Sequence, residues 1–440
     1  MTRTTLLGHG IGGPLDLPVS LAYFAVVGAM VILSIFAVLS VVWPHPRLQE
    51  GPRFLKGSHR GVRPWHPPQR LLGIIGAVSL VLTILTGISA PLSGVGTIGT
   101  RNIAPLLLWA VFWATLPLLG VLVGNVYTVI NPWRTLSDWL GVGDREQPAF
   151  GARWGLWPAA ALLVIFSWFE LIYPGSSRPG VVGVAAALYT AFLLTMMGRF
   201  GRETTLASID LFTPFHRLAS AIAPWGRTAD GKLMWRGWLR ALPVVPRWPG
   251  LAAFVVVMIG IVVFDGLSYS TWWESQTGSW GSSLIVRSLL LLGTVGLTGA
   301  IYGGFSMLAA RLASAGETTR AVAARYAHTL VPLALSYFFA HYFTLVIFEG
   351  QQLVSAVSDP LGLGWDLLGT RNHKINFFIT PTGVWSVQIA ALLAGSLATL
   401  TLGHDRALAD FAGAAGIRVR VAHLTLTMLF AAAGLFLVAG

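Results

Sequence analysis

Apolar stretches of about 17 to 25 residues recur along this chain, each long enough to cross a hydrocarbon layer of roughly 30 Å as one helix. Ten can be drawn: Ser20–Val42, Leu71–Ser89, Ala104–Val123, Trp154–Ile172, Val181–Met197, Leu251–Phe264, Ser283–Leu308, Tyr326–Phe348, Val384–Gly403 and Val421–Ala439. The sixth is short as drawn and is expected to continue past Asp265. Backbone groups find no water inside a bilayer, so such spans must be helical. The expected fold is all-α, a polytopic transmembrane helix bundle of about ten spans.

Composition agrees with a lipid solvent. The chain is 55% hydrophobic and only 10% charged, against about 25% charged in soluble globular proteins, which excludes a soluble multidomain enzyme. With no cysteine among 440 residues, disulfides, Cys-ligated zinc, iron–sulfur clusters and a thiol nucleophile are excluded as well.

The net charge of +12 resolves once it is read loop by loop. Lys and Arg close to spans stay in the cytoplasm. Loops 43–70, 124–153, 198–250, 309–325 and 404–420 carry 6, 3, 8, 3 and 3 of the 29 basic residues, 23 in all. The opposite side holds five (Arg3, Arg101, Arg178, Arg371 and Lys374), and Arg287 lies inside the seventh span. Both termini are therefore expected outside the cytoplasmic membrane (N-out and C-out), with the bilayer and its anionic lipids as partner and no nucleic acid required. Residues 1–19 are too polar for the apolar core of a signal peptide, so the first span is expected to act as an uncleaved signal anchor.

The basic stretch 198–250 divides the chain into a membrane half at 1–197, a cytoplasmic loop with an interfacial helix, and a second membrane half at 251–440. Five spans per half would place the halves in opposite orientation, as in many transporters, although no sequence match joins them. A clearer echo links Asn131-Pro132-Trp133 and Leu136 to Thr213-Pro214-Phe215 and Leu218. Asn or Thr followed by Pro starts a helix, and Leu211, Phe215, Leu218 and Ile222 then form an apolar stripe. Both segments are expected to lie as amphipathic helices on the inner leaflet, packing there or serving as a gate or docking surface. In the seventh span Gly293, Gly296, Gly299 and Gly303 make a bare face suited to close helix packing or to lining a ligand path.

Ionisable groups at membrane depth are costly and mark candidate functional positions. Near the outer ends of spans four, six, seven and eight stand Glu170, Asp265, Arg287, His341 and Glu349. Arg287 needs a counter-ion at its depth, with Glu170, Asp265 or Glu349 on offer. Tyr337, His341, Phe348 and Gln352 share one stripe of the eighth span if its helix continues past Glu349. Gln388 enters the ninth span at comparable depth, and this outer set suits a metal, a proton or a polar ligand. A histidine merely hydrogen-bonded within the bundle is the competing account. At the cytoplasmic ends of the last three spans, His328, His404 with Asp405, and His423 form a second set. Imidazoles and a carboxylate are ligands for a metal ion such as zinc and suit proton relay equally, while interfacial histidines often simply face headgroups. Haem bridging His328 and His341 is excluded, because thirteen residues of helix separate them by about 20 Å. The chain holds no His-Glu-x-x-His, Walker loop, Gly-x-Ser-x-Gly elbow or kinase set.

Several stretches together resemble a family of actinobacterial multi-span membrane proteins labelled fenitrothion hydrolase. They are His9-Gly10-Ile11-Gly12-Gly13 with Asp16-Leu17-Pro18, Asn131 through Leu136, Ala340-His341-Tyr342 with Gly350-Gln351, Ser358-Asp359-Pro360, and Trp385 through Gln388 leading to His404-Asp405-Arg406-Ala407. The resemblance implies hydrolysis of aryl phosphorothioate esters. Such chemistry normally uses a metal-activated water and a charge stabiliser, for which His341, Glu349, Asp359 and Asp265, and Arg287, are the available residue types.

Three functions follow as expectations. The first is a carrier or permease for a small solute or ion, with the outer set as entrance and the inner histidines as exit. The second is a membrane-embedded, metal-dependent organophosphorus hydrolase. The third is copper or zinc handling through His9, His341, Met30, Met196 and Met197.

Overall fold

A computed structural model describes residues 21–51, 69–90, 102–227, 233–313, 316–411 and 413–439. A helix stands at each of the ten apolar stretches: α1 (Leu21–Val42), α2 (Gln69–Ile88), α3 (Ile103–Val123), α4 (Trp157–Leu171), α5 (Pro179–Phe200), α6 (Leu251–Ser268), α7 (Leu284–Leu312), α8 (Val331–Ile347), α9 (Pro381–Asp410) and α10 (Gly413–Ala439). Among the described residues, eight helical segments are long and apolar enough to cross a membrane. Counting Pro148–Trp154 with α4, to which it is joined at a 69° bend, makes nine. The helix Val26–Val42 within α1 is apolar but shorter. The fold is an all-α polytopic bundle; the only strands among the described residues are β1 (Trp225–Arg227) and β2 (Leu233–Trp235), an antiparallel pair.

Local chemistry sets the helix ends. Ser283 caps α7 by accepting from Val286 N at 3.2 Å, and Thr380 caps α9 ahead of Pro381. α6 runs through Asp265 to Ser268, as its sequence required. α8 stops at Ile347, and a 3₁₀ turn (Glu349–Gln352) replaces the continuous helix expected there.

The second of the two echoed segments departs from expectation. After α3 the chain turns at Gly124, whose φ of +94° favours glycine, runs through Tyr127–Ile130, and reverses at Asn131 into a first half-helix, Pro132–Leu140. The helix Arg202–Ser208 leads in the same way to Asp210, where the chain reverses into a second half-helix, Phe212–Ile222. The first is amphipathic, buried at Pro132, Trp133 and Ser137 and exposed at Trp139 and Leu140, while the second does not lie on a surface. Nine of the eleven residues in the second half-helix are buried, and its Phe212 ring packs 4.7 Å from Phe112 and 5.2 Å from Phe166, midway along α3 and α4. Its C-terminal end returns to the end of α3, where Ala219 and Ser220 approach Gly120. Both segments are hairpins whose reversals pack against the helices of the bundle. The apolar stripe was read as one wet-sided face, but Pro214, Ala219 and Ala221 leave the other side small and apolar enough to pack too.

Glycines in α2 admit the first hairpin. A Cβ on Gly76 would collide with the Ile130 carbonyl, and one on Gly73 would meet Thr135 and the Val129 carbonyl. Gly76 lies about 10 Å along α2 at ~1.5 Å per residue, which places the Asn131 reversal well inside the bundle. Arg134 fastens the two hairpins through paired contacts of 2.5 and 2.8 Å to Glu203, and Arg202 pairs with Asp138. Hydrogen bonds from Arg134 hold the Glu203 carboxyl below its ordinary 4.5. That exposed tie contributes under about 1 kcal/mol; it is complete above the ordinary carboxyl range and fades as pH falls through the depressed value.

Among the described residues the glycine stripe of α7 makes a single helix contact, at Gly299. A Cβ on Gly293, Gly296 or Gly303 would meet nothing within 4 Å, and one on Gly299 would only touch Val256. α6 instead approaches α7 through its own Gly260, against Val295. Accordingly Gly76→Ala should cost about 1–3 kcal/mol of overpacking, read as a clear drop in thermal midpoint in detergent. Gly296→Ala should leave that midpoint unchanged.

Candidate functional site

Three of the outer residues converge. α4 carries Glu170 on its last turn, α6 carries Asp265, and α8 carries His341, which are 2%, 1% and 3% exposed. His341 Nδ1 lies 2.8 Å from Asp265 Oδ2. Tyr342, next in sequence and therefore on a neighbouring face of α8, donates its hydroxyl to Glu170 Oε1 at 2.5 Å. One turn of α8 thus engages two carboxylates delivered by two other helices. The fields of Asp265 and Glu170 both fall on His341, and the His341 and Tyr342 rings meet edge-on at 4.3 Å. With Nδ1 this close to a carboxylate, a proton belongs between them on Nδ1. Nε2 has no hydrogen-bond partner among the described residues. Gln388 of α9 joins the rim by donating to the Ala340 carbonyl at 2.7 Å.

The other outer candidates turn elsewhere. Glu170 and Asp265, offered as counter-ions for Arg287, are engaged with Tyr342 and His341, while Glu349 bonds Gln352 in the half-buried 3₁₀ turn. Arg287 donates to the Leu171 carbonyl at 3.1 Å and to Ser268 at 3.3 Å, and lies over the Tyr269 ring at 4.9 Å. A helix-terminal carbonyl, a hydroxyl and an aromatic face thus surround the guanidinium. Tyr337 shares the stripe of His341 but reaches α10, where its hydroxyl donates to the Phe430 carbonyl against Gly434. Tyr342 is a participant to which the sequence reading gave no role, naming it only within the Ala340-His341-Tyr342 stretch.

The inner set does not converge on one point. Asp405 accepts from Trp43 Nε1 at 2.9 Å, Arg47 N at 2.5 Å, Leu48 N at 3.2 Å and Gln49 Nε2 at 2.9 Å, so it clamps the chain leaving α1. His404 stands 3.0 Å from the Trp43 carbonyl through Nε2. His423 meets the Thr329 hydroxyl at 2.9 Å and fills the space that Gly403 leaves open. His328 is buried in the 3₁₀ turn before α8. No group of three His, Asp or Glu suited to a metal occurs among the described residues, and His9 lies outside them. Asp359 likewise receives backbone N–H groups of Leu363 and Gly364 at 2.9 Å each, a loop-shaping task.

The fold and this site define a multi-helix membrane protein with a buried ionisable cluster at the meeting of α4, α6 and α8. Compared with known proteins, the chain matches no family model, no curated protein and no solved structure.

Because Asp405 satisfies so many buried donors, Asp405→Ala should cost about 2–4 kcal/mol. The expected result is a lowered thermal midpoint together with faster proteolysis in the segment after Trp43.

Proposed function

We propose that the protein is a carrier or permease of the cytoplasmic membrane that moves a small solute or ion, with His341, Asp265, Glu170 and Tyr342 as its intramembrane polar site. The carrying observation is the burial of a histidine and two carboxylates within apolar helices. Such groups cost several kcal/mol to desolvate, and an apolar replacement would often serve stability as well or better. Hairpins whose reversals pack against the bundle helices support the same reading, since carriers build sites from discontinuous helices. The basic loops would face the cytoplasm and both termini the outside.

A hydrolase is the second reading, as the resemblance to the fenitrothion hydrolase family implies. It is favoured by one observation: a buried histidine with a carboxylate 2.8 Å from Nδ1 has the arrangement of a carboxylate-oriented acid or base. Metal handling is less favoured, because the described residues assemble no ligand group.

Reconstitution in lipid vesicles separates these readings. Uptake of a panel of radiolabelled solutes and ions, compared at equal amounts of folded protein, should fall at least about tenfold, or ~1.4 kcal/mol, in His341→Gln and Glu170→Gln. Uptake equal to wild type in both variants would overturn the carrier reading. Release of nitrophenol from an aryl phosphorothioate that disappears in His341→Gln would replace it with the hydrolase.

A further inference from the structure

The two hairpins bring their reversals together. Asn131, which caps the first half-helix by accepting from Arg134 N at 3.0 Å, stands with its Nδ2 3.4 Å from Thr213 Oγ1 on the second. Asp210 caps the second: Oδ1 accepts from Phe212 N at 3.2 Å and from the Tyr189 hydroxyl at 2.7 Å, and Oδ2 accepts from Thr213 N at 2.9 Å and Thr213 Oγ1 at 2.6 Å. Each half-helix N-terminus carries about +0.5 of a charge, so two of them offset this one carboxylate and leave the junction near neutral.

Two polar groups at the junction make no well-formed hydrogen bond among the described residues. The Tyr127 ring stacks on His216 at 4.0 Å, and its hydroxyl faces Thr213 and Asp210. His216 Nδ1 stands 2.8 Å from the Phe212 carbonyl. A carbonyl can only accept, so Nδ1 bears the proton and Nε2 is a bare acceptor. Tyr127 and His216 are 3% and 2% exposed, and neither the hydroxyl nor Nε2 is hydrogen-bonded among the described residues. Leaving buried polar atoms unmatched costs about 1–3 kcal/mol each, and a ligand that supplies both a donor and an acceptor would satisfy them.

The junction also lines up with the outer cluster. The Trp113 ring lies 6.1 Å from Tyr342 on one side and 5.0 Å from Phe215 on the other, with Phe338 at 5.2 Å. α3 is wound as a π-helix over Leu106–Thr115, the stretch that presents Phe112 and Trp113 to this layer, and such windings concentrate at functional places. Two polar stations therefore stand on either side of one aromatic layer.

We infer that the junction of the two half-helices is a second binding station, in which Tyr127 and His216 hydrogen-bond a small uncharged solute bearing both a donor and an acceptor. The inference rests on the carrier reading and narrows its substrate class. The near-neutral junction disfavours ions of either sign.

The test uses the whole protein in vesicles of phosphatidylcholine and phosphatidylglycerol, with radiolabelled glycerol and urea as uncharged probes and rubidium and nitrate as charged ones. Wild type should take up glycerol or urea faster than protein-free vesicles and the ions no faster. Tyr127→Phe, which keeps the stacked ring, and His216→Phe, which keeps its shape, should each slow that uptake by at least about fivefold, or ~1 kcal/mol. Glycerol and urea uptake unchanged in Tyr127→Phe, or ions passing as fast as the uncharged probes, would overturn the station and leave the carrier reading standing. Wild-type vesicles tight to all four probes would overturn the station, while uptake of any other solute that His341→Gln abolishes would still uphold the carrier.

Discussion

A polar group inside an apolar bundle has no water to turn to, and this structure depends on how each such group finds a partner within the protein. The pairing of His341 with Asp265, beside Tyr342 on Glu170, is the most demanding case, because three ionisable groups are placed where helices would otherwise meet through Leu and Phe. It fixes the relative rotation of α4, α6 and α8, since each must turn its one ionisable face inward. Asp405 solves a related problem at the opposite end of the bundle by gathering side-chain and backbone donors that follow α1.

The two hairpins follow from the same constraint. Ending a helix inside a bundle strands backbone N–H groups, and Asn131 and Asp210 supply the missing acceptors. Proline immediately after Asn131 removes one donor that would otherwise need satisfying. Space for the first hairpin comes from Gly73 and Gly76 on α2, where the hairpin's carbonyls occupy the volume side chains would take. Function, on this account, is concentrated where caps and close approaches coincide.

Much of this was legible in the sequence. The ten helices follow from apolar length alone, and even the extension of α6 beyond Asp265 could be read. Glu170, Asp265 and His341 were legible as costly residues at matching depth, but their pairing was not, because helix rotation leaves no mark in a single sequence. The Leu171 carbonyl that accepts from Arg287 could not be read, because backbone acceptors are invisible to residue type. Asp405 read as a metal ligand because backbone donors are equally invisible. The half-helices were recognised as helix starts, yet their depth was missed. Eleven residues are too few to span a bilayer, and the apolar stripe drew attention away from the small residues behind it.

The claim that organises this account is that residues 127–137 and 205–222 fold into the interior of the bundle rather than onto its surface. Hydrogen–deuterium exchange of the wild-type protein in lipid nanodiscs measures this directly without substitution. The account predicts that amides of Thr213–Ile222 and Trp133–Ser137 stay protected for hours, on the order of the slowest amides of α6. Exchange of both segments within minutes, at the pace of the exposed loop at 143–147, would contradict it.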